Sequence, residues 1–126
     1  MSPLLLICDP RDDHSSAFPI PLKDLGIQVI RVRNGYDCLR AVRLGWPDVL
    51  LLSTETDSGF LSRILNDIRN GIGGAAAPEI FLVGEQPATD LSHRWAVPED
   101  HCLQKPLSAS HCDELIASVL GSSEVK

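Results

Sequence analysis

The run at residues 47–53, Pro-Asp-Val-Leu-Leu-Leu-Ser, is apolar almost throughout, between a Gly-Trp-Pro-Asp turn and the polar segment at 54–59. A short continuous apolar stretch between turn signals belongs to a strand buried on both faces, as in parallel sheets. Open parallel sheets place their working residues at the carboxyl ends of the strands. The residues that carry chemistry are therefore expected around Ser53. A second such run, Leu-Leu-Leu-Ile-Cys at 4–8, stops at Asp9-Pro10 and supplies another buried strand.

A helix is due after the first strand, but segment 11–25 carries Pro19 and Pro21. Each proline inside a helix removes a hydrogen bond and clashes with the preceding turn, at about 3 kcal/mol. This first helix is expected to be broken, shortened or displaced, with one turn after Asp13 and another at 22–25, closed by Gly26. Residues 27–32 alternate and are rich in β-branched side chains, so they form a strand, near a sheet edge because two positions are polar. Asn34-Gly35 is a turn, and 36–44 form a helix with Cys38, Leu39 and Val42 on one face and Gly45 as its cap. Phe60, Leu61, Ile64, Leu65 and Ile68 mark an amphipathic helix that stops at Asn70-Gly71.

Residues 79–83 form a strand, and Pro87 and Pro98 confine a helix at 89–96 to about two turns. A last short strand lies at 101–104. Ser108 or Ser110 caps a final helix with Leu115, Ile116, Val119 and Leu120 on its apolar face, ended by Gly121. Strand and helix alternate through the chain with short connections. This predicts one α/β domain over 1–121, a five-stranded parallel sheet with helices on both faces, and a polar tail or start of a linker at 122–126.

Composition excludes several functions. Eleven basic against 17 acidic residues give a net charge of −6, with no basic cluster to hold nucleic acid. Cys8, Cys38, Cys102 and Cys112 form no C-x-x-C pair and read as reduced thiols of a cytoplasmic protein. No apolar run approaches the roughly 20 residues that span a bilayer. The loop Asp9-Pro10-Arg11-Asp12-Asp13 has no glycine and too much negative charge to cradle phosphates, which counts against a nucleotide-binding enzyme.

The predicted strand ends present Asp9, then Ser53-Thr54-Glu55, then Val83-Gly84, then Lys105-Pro106. An acid after strand one and a lysine after strand five resemble the receiver domain of two-component response regulators, the CheY-like (flavodoxin-like) fold. Asn34-Gly35, Pro47-Asp48, Pro78 and the separations between Asp9, Ser53, Val83 and Lys105 fit the same pattern. The resemblance implies an acidic pair that holds Mg²⁺, an aspartate that accepts a phosphoryl group, a hydroxyl and a lysine that contact it, and an aromatic that reports the change. Matched residue by residue, the first acid is Cys8, the acceptor is Ser53, the switch hydroxyl is Val83 and the aromatic is Cys102. Asp9 and Lys105 alone remain. Asp57 replaces the family's proline, and Phe60-Leu61 its Asp-Gly.

A serine hydroxyl is a poor nucleophile without a neighbouring base, and most of the Mg²⁺ site is gone. The expectation is a pseudo-receiver: not an enzyme, not phosphorylated, with no cofactor beyond weak Mg²⁺. Such a domain works by binding protein, whether a histidine kinase, an effector domain or a second copy, through residues 91–120 with Trp95 as anchor. One alternative keeps the switch, with a site rebuilt from Asp9, Glu55 and Asp57; another is a small α/β enzyme or nucleotide binder. Smaller features have plainer readings. Ser53 is a polar filler ending a buried strand, and Asp9 pairs with Lys105 or caps backbone amides. Asp12-Asp13-His14 is turn and cap chemistry, and Trp46 is local packing. His101-Cys102 and His111-Cys112 match no common zinc spacing. The resemblance implies a cis Lys105-Pro106 bond, although trans is the base rate.

Overall fold

The computed structural model of the chain describes residues 3–11, 22–45, 47–71 and 78–125. The readings made for Asp12-Asp13-His14, Pro19, Pro21 and Trp46 lie outside the described residues. The elements are β1 (Leu4–Cys8), β2 (Gln28–Val32), α1 (Gly35–Arg43), β3 (Val49–Ser53), α2 (Ser58–Arg69), β4 (Glu79–Gly84), α3 (Ala88–Trp95), β5 (Cys102–Gln104) and α4 (Ala109–Val125). The strands form one parallel sheet in the order β2-β1-β3-β4-β5. All five residues of β3, the middle strand, are buried. β2 is an edge strand, and its two arginine and glutamine positions face solvent.

The period-2 alternation of the strands divides the core in two. Leu6, Cys8, Leu50, Leu52 and Leu82 point to the side covered by α1, α2 and α3. Leu5, Ile7, Val49, Leu51, Phe81, Val83 and Leu103 point to the other side, beneath Leu115 and Val119 of α4 and Leu22 of a short 3-10 turn, Leu22–Leu25. Each buried leucine or isoleucine contributes about 1.5–3 kcal/mol, so these paired layers fix the register.

Side-chain caps start α1, α2 and α4. Asn34 Oδ1 accepts the Asp37 amide at 2.8 Å, Asp57 Oδ1 the Gly59 amide at 2.9 Å, and Ser108 Oγ the His111 amide at 3.1 Å. Gly45 and Gly71, just past α1 and α2, have φ of 72° and 75°, which glycine adopts without a Cβ penalty. α3 ends instead on Ala96 at φ 56°, where Arg69 donates to the carbonyls of Trp95 and Ala96 at 2.6 and 3.0 Å.

Two expected boundaries move. His101 belongs to a 3-10 turn, Glu99–His101, so β5 begins at Cys102. α4 does not stop at Gly121 but continues to Val125. A glycine inside a helix costs only about 1 kcal/mol relative to alanine, and no proline or turn pair follows to end the helix.

Candidate functional site at the carboxyl edge of the sheet

Parallel pairing brings the ends of β1, β3, β4 and β5 to one edge. Cys8 is the register partner of Leu52, Ser53 of Val83, and Val83 of Leu103. Asp9, Ser53 and Val83, far apart in sequence, thus stand at the ends of neighbouring strands, and Lys105 follows β5 with its amide donating to the Gly84 carbonyl at 2.7 Å. The Lys105-Pro106 bond is cis.

Charge at this edge is internally matched. The Lys105 ammonium lies 3.2 Å from Oδ2 of Asp9 and 3.8 Å from Oε1 of Glu55. The other Asp9 oxygen accepts the Arg11 amide at 2.9 Å. Arg11 reaches over the edge, its Nε 3.1 Å from Oε2 of Glu55 and its guanidinium 4.0 Å from Glu85. Asp9 and Lys105 form the expected ion pair, and Asp9 also holds a backbone amide. Arg11 is the member of this cluster that the sequence did not single out; an arginine two residues after the strand-one acid is its only signal.

Ser53 is fully buried, and its Oγ accepts the Glu55 amide at 3.1 Å. The hydroxyl fixes the turn after β3. Val83 and Cys102, at the switch positions of the resemblance, are also buried, and the Cys102 thiol donates to the Val97 carbonyl at 3.6 Å. Burial pushes that thiol up to about 11, with help from Glu99 and Asp100.

Cys8 ends β1 at the position that the resemblance gives to a first acid. Its sulfur donates toward the Asn34 carbonyl at 3.7 Å and lies 3.6 Å from the Thr56 hydroxyl, itself buried. A hydrogen bond from the Cys38 thiol holds the Cys8 thiol below its ordinary range, against the pull of burial. The same bond and burial push Cys38 up. That contact joins β1 to α1 and was not foreseen from the sequence spacing.

These residues do not suit Mg²⁺. The ion favours octahedral oxygen ligands, whereas β1 ends on a thiol, Cys8, and the oxygens of Asp9 and Glu55 are engaged by Lys105 and Arg11. Asp57 leaves the cluster altogether, because its carboxylate caps α2 through Gly59 and Phe60. Of the three acids considered for a rebuilt site, the structure places Asp57 at the start of α2 as its cap. Among the described residues, no group of three His, Cys, Asp or Glu side chains is placed to hold a metal.

Trp95, the expected anchor, is half-buried at the end of α3, with the Arg94 guanidinium 5.2 Å above its ring. It lines a cleft of about 480 Å³ together with Leu91, Asp90, Gln86, Thr54 and Ser58. His101 and Cys102 are tied into the fold, since the His101 Nδ1 lies 2.8 Å from the Ile80 carbonyl and its ring stacks on Phe81.

No family model matches the sequence, and no curated protein matches it. Solved structures do match in shape. A response regulator receiver domain (CheY-like) from Methylobacillus flagellatus superposes with a TM-score of 0.70 at 17% identity, over 94% of this chain and 99% of that one. The chemotaxis response regulator CheY4 of Vibrio cholerae gives 0.68 at 15%, over 94% and 99%. The receiver domain of the Francisella response regulator 1452 gives 0.64 at 21%, over 98% and 99%. The chain has the CheY-like receiver fold. No helix among the described residues is long and apolar enough to cross a membrane.

Proposed function

We propose that this chain is a receiver-type module of two-component signalling that does not take up a phosphoryl group and acts by binding another protein, cytoplasmic in location. One observation carries the reading. The acceptor position holds Ser53, fully buried and spent on the Glu55 amide, while the Lys105 ammonium already lies between two carboxylates. Phosphoryl transfer needs a nucleophile and uncommitted positive charge around the transferred group. Here Glu55 gives Lys105 a second carboxylate partner beside Asp9. The working surface in this reading is the 91–120 segment, where Trp95 and its cleft offer an aromatic wall to a histidine kinase, an effector domain or a second copy.

The test is a backbone amide titration by NMR, first with Mg²⁺ and then with beryllofluoride. Unmoved signals for Asp9, Ser53, Val83 and Lys105 are expected. Saturable shifts that spread from Ser53 to β5 and α4 would restore an operating switch and overturn the reading.

A further inference from the structure

The outward face of α1 is unlike the rest of the surface. Tyr36, Arg40, Arg43 and Leu44 follow at i, i+4, i+7 and i+8, which aligns them along one side of the helix and its cap. Among the described residues, Tyr36 and Leu44 are the exposed large hydrophobics, at 56% and 58%. They stand about 12 Å apart along the axis, at 1.5 Å per residue.

Between them lies organised positive charge. The Arg40 guanidinium is 5.8 Å from the centre of the Tyr36 ring, and Arg43 Nε is fixed at 3.0 Å from Asp67 of α2. Phe60 of α2 braces Tyr36 edge-on, with ring centres 6.5 Å apart. Arg63 is exposed and falls between Phe60 and Asp67 along α2. The single acid of α1, Asp37, accepts from the Asn34 side-chain amide at 3.0 Å and belongs to the helix cap. A chain of net charge −6 therefore carries a face of arginines flanked by two apolar ends.

We propose that this face docks an acidic amphipathic helix of a protein partner, separately from the 91–120 surface. Two apolar side chains seven residues apart, about 10.5 Å along a helix, cover Tyr36 and Leu44, and Asp or Glu between them meets Arg40, while Arg43 stays paired with Asp67. Tyrosine and arginine are the residues that interface centres favour. Charge complementarity selects a short acidic segment confined to the arginines, whereas a nucleic-acid backbone would carry its charge on over the acidic remainder of the surface.

The experiment pans the full chain against a phage-displayed library of random 16-residue peptides at low salt. Each binder is then titrated with the wild type and with Tyr36→Ala, Arg40→Glu, Leu44→Ala and Trp95→Ala. The expected binders carry paired apolar residues seven or eight apart with acids between them. They lose at least tenfold in affinity to each α1 variant and none to Trp95→Ala, and all four variants keep the wild-type circular dichroism. The proposal fails if no binder emerges, if binders are basic, or if they ignore the α1 changes. It fails equally if single-stranded RNA binds this face more tightly than the acidic peptides, or if sedimentation shows that copies of the chain associate through Tyr36.

Discussion

Nζ of Lys105 sits 3.2 Å from Oδ2 of Asp9, across 96 positions of sequence, with the Asp9 side chain almost wholly buried. Leaving one partner of a buried ion pair uncompensated costs about 3–5 kcal/mol, whereas replacing both can be near neutral. Glu55, 3.8 Å from Lys105, softens the loss here. Asp9→Asn is therefore expected to lower unfolding free energy by about 2–4 kcal/mol, and adding Lys105→Met to recover part of it. Urea denaturation of the two singles and the double gives the coupling. A double mutant no better than Asp9→Asn would mean the pair is not what holds this edge.

Restoring a carboxylate at the acceptor position should expose the cost of the charge already there. Ser53→Asp buries a third acid beside Asp9 and Glu55 and removes the Oγ that holds the Glu55 amide. Buried like charges disfavour one another, so about 2–3 kcal/mol of stability is expected to be lost at pH 7. Mg²⁺ should return part of it in the variant while leaving the wild-type melting temperature unchanged. Melting curves with and without Mg²⁺ decide this, and a wild-type shift equal to the variant's would argue that the native edge binds the ion.

Gly35 lets α1 and α2 approach. A Cβ there would come within 2.3 Å of the Phe60 Cβ and 2.7 Å of its Cγ, so the helices must part or Phe60 must leave Tyr36. Gly35→Ala is expected to destabilise by about 1–3 kcal/mol despite alanine's better helix propensity. Chemical denaturation measures it. A stabilised variant would show that the α1–α2 contact is slack.

Much of this was legible because the strands announce themselves. The runs at 4–8 and 47–53, set among alternating helices, read as strands buried on both faces of a parallel sheet, and such a sheet brings Asp9, Ser53, Val83 and Lys105 to one edge. Asn34, Gly45, Asn70-Gly71 and Ser108 marked helix ends because each performs a local backbone task that tertiary packing does not override. What stayed hidden depended on which long side chain reaches where. Arg11 over Glu55 and Cys38 against Cys8 are contacts between elements, with no periodicity to betray them. Asp57 looked like one more acid of the site because a carboxylate that caps a helix and one that binds a metal read alike in sequence. Gly121 looked like a stop, yet a lone glycine is too weak a breaker without a following turn.

The Cys102 thiol carries the pH dependence of the far edge of the sheet. It is 4% exposed and is pushed up from 9.0 to about 11, first by burial and then by Glu99 and Asp100. The folded chain therefore keeps its proton where the unfolded chain has lost it. The stability this contributes is complete below pH 9 and declines as pH rises through 11. At about 1.4 kcal/mol per pKa unit, the decline over these two units is on the order of 3 kcal/mol. Cys112, pushed up by burial and by Asp113, acts in the same direction. Cys102→Ala is expected to cost about 1 kcal/mol at pH 7 through lost packing, and to flatten the fall in stability between pH 9 and 11. Urea denaturation across that range measures both. An unchanged slope in the variant would place the alkaline titration at other groups and remove Cys102 from the account.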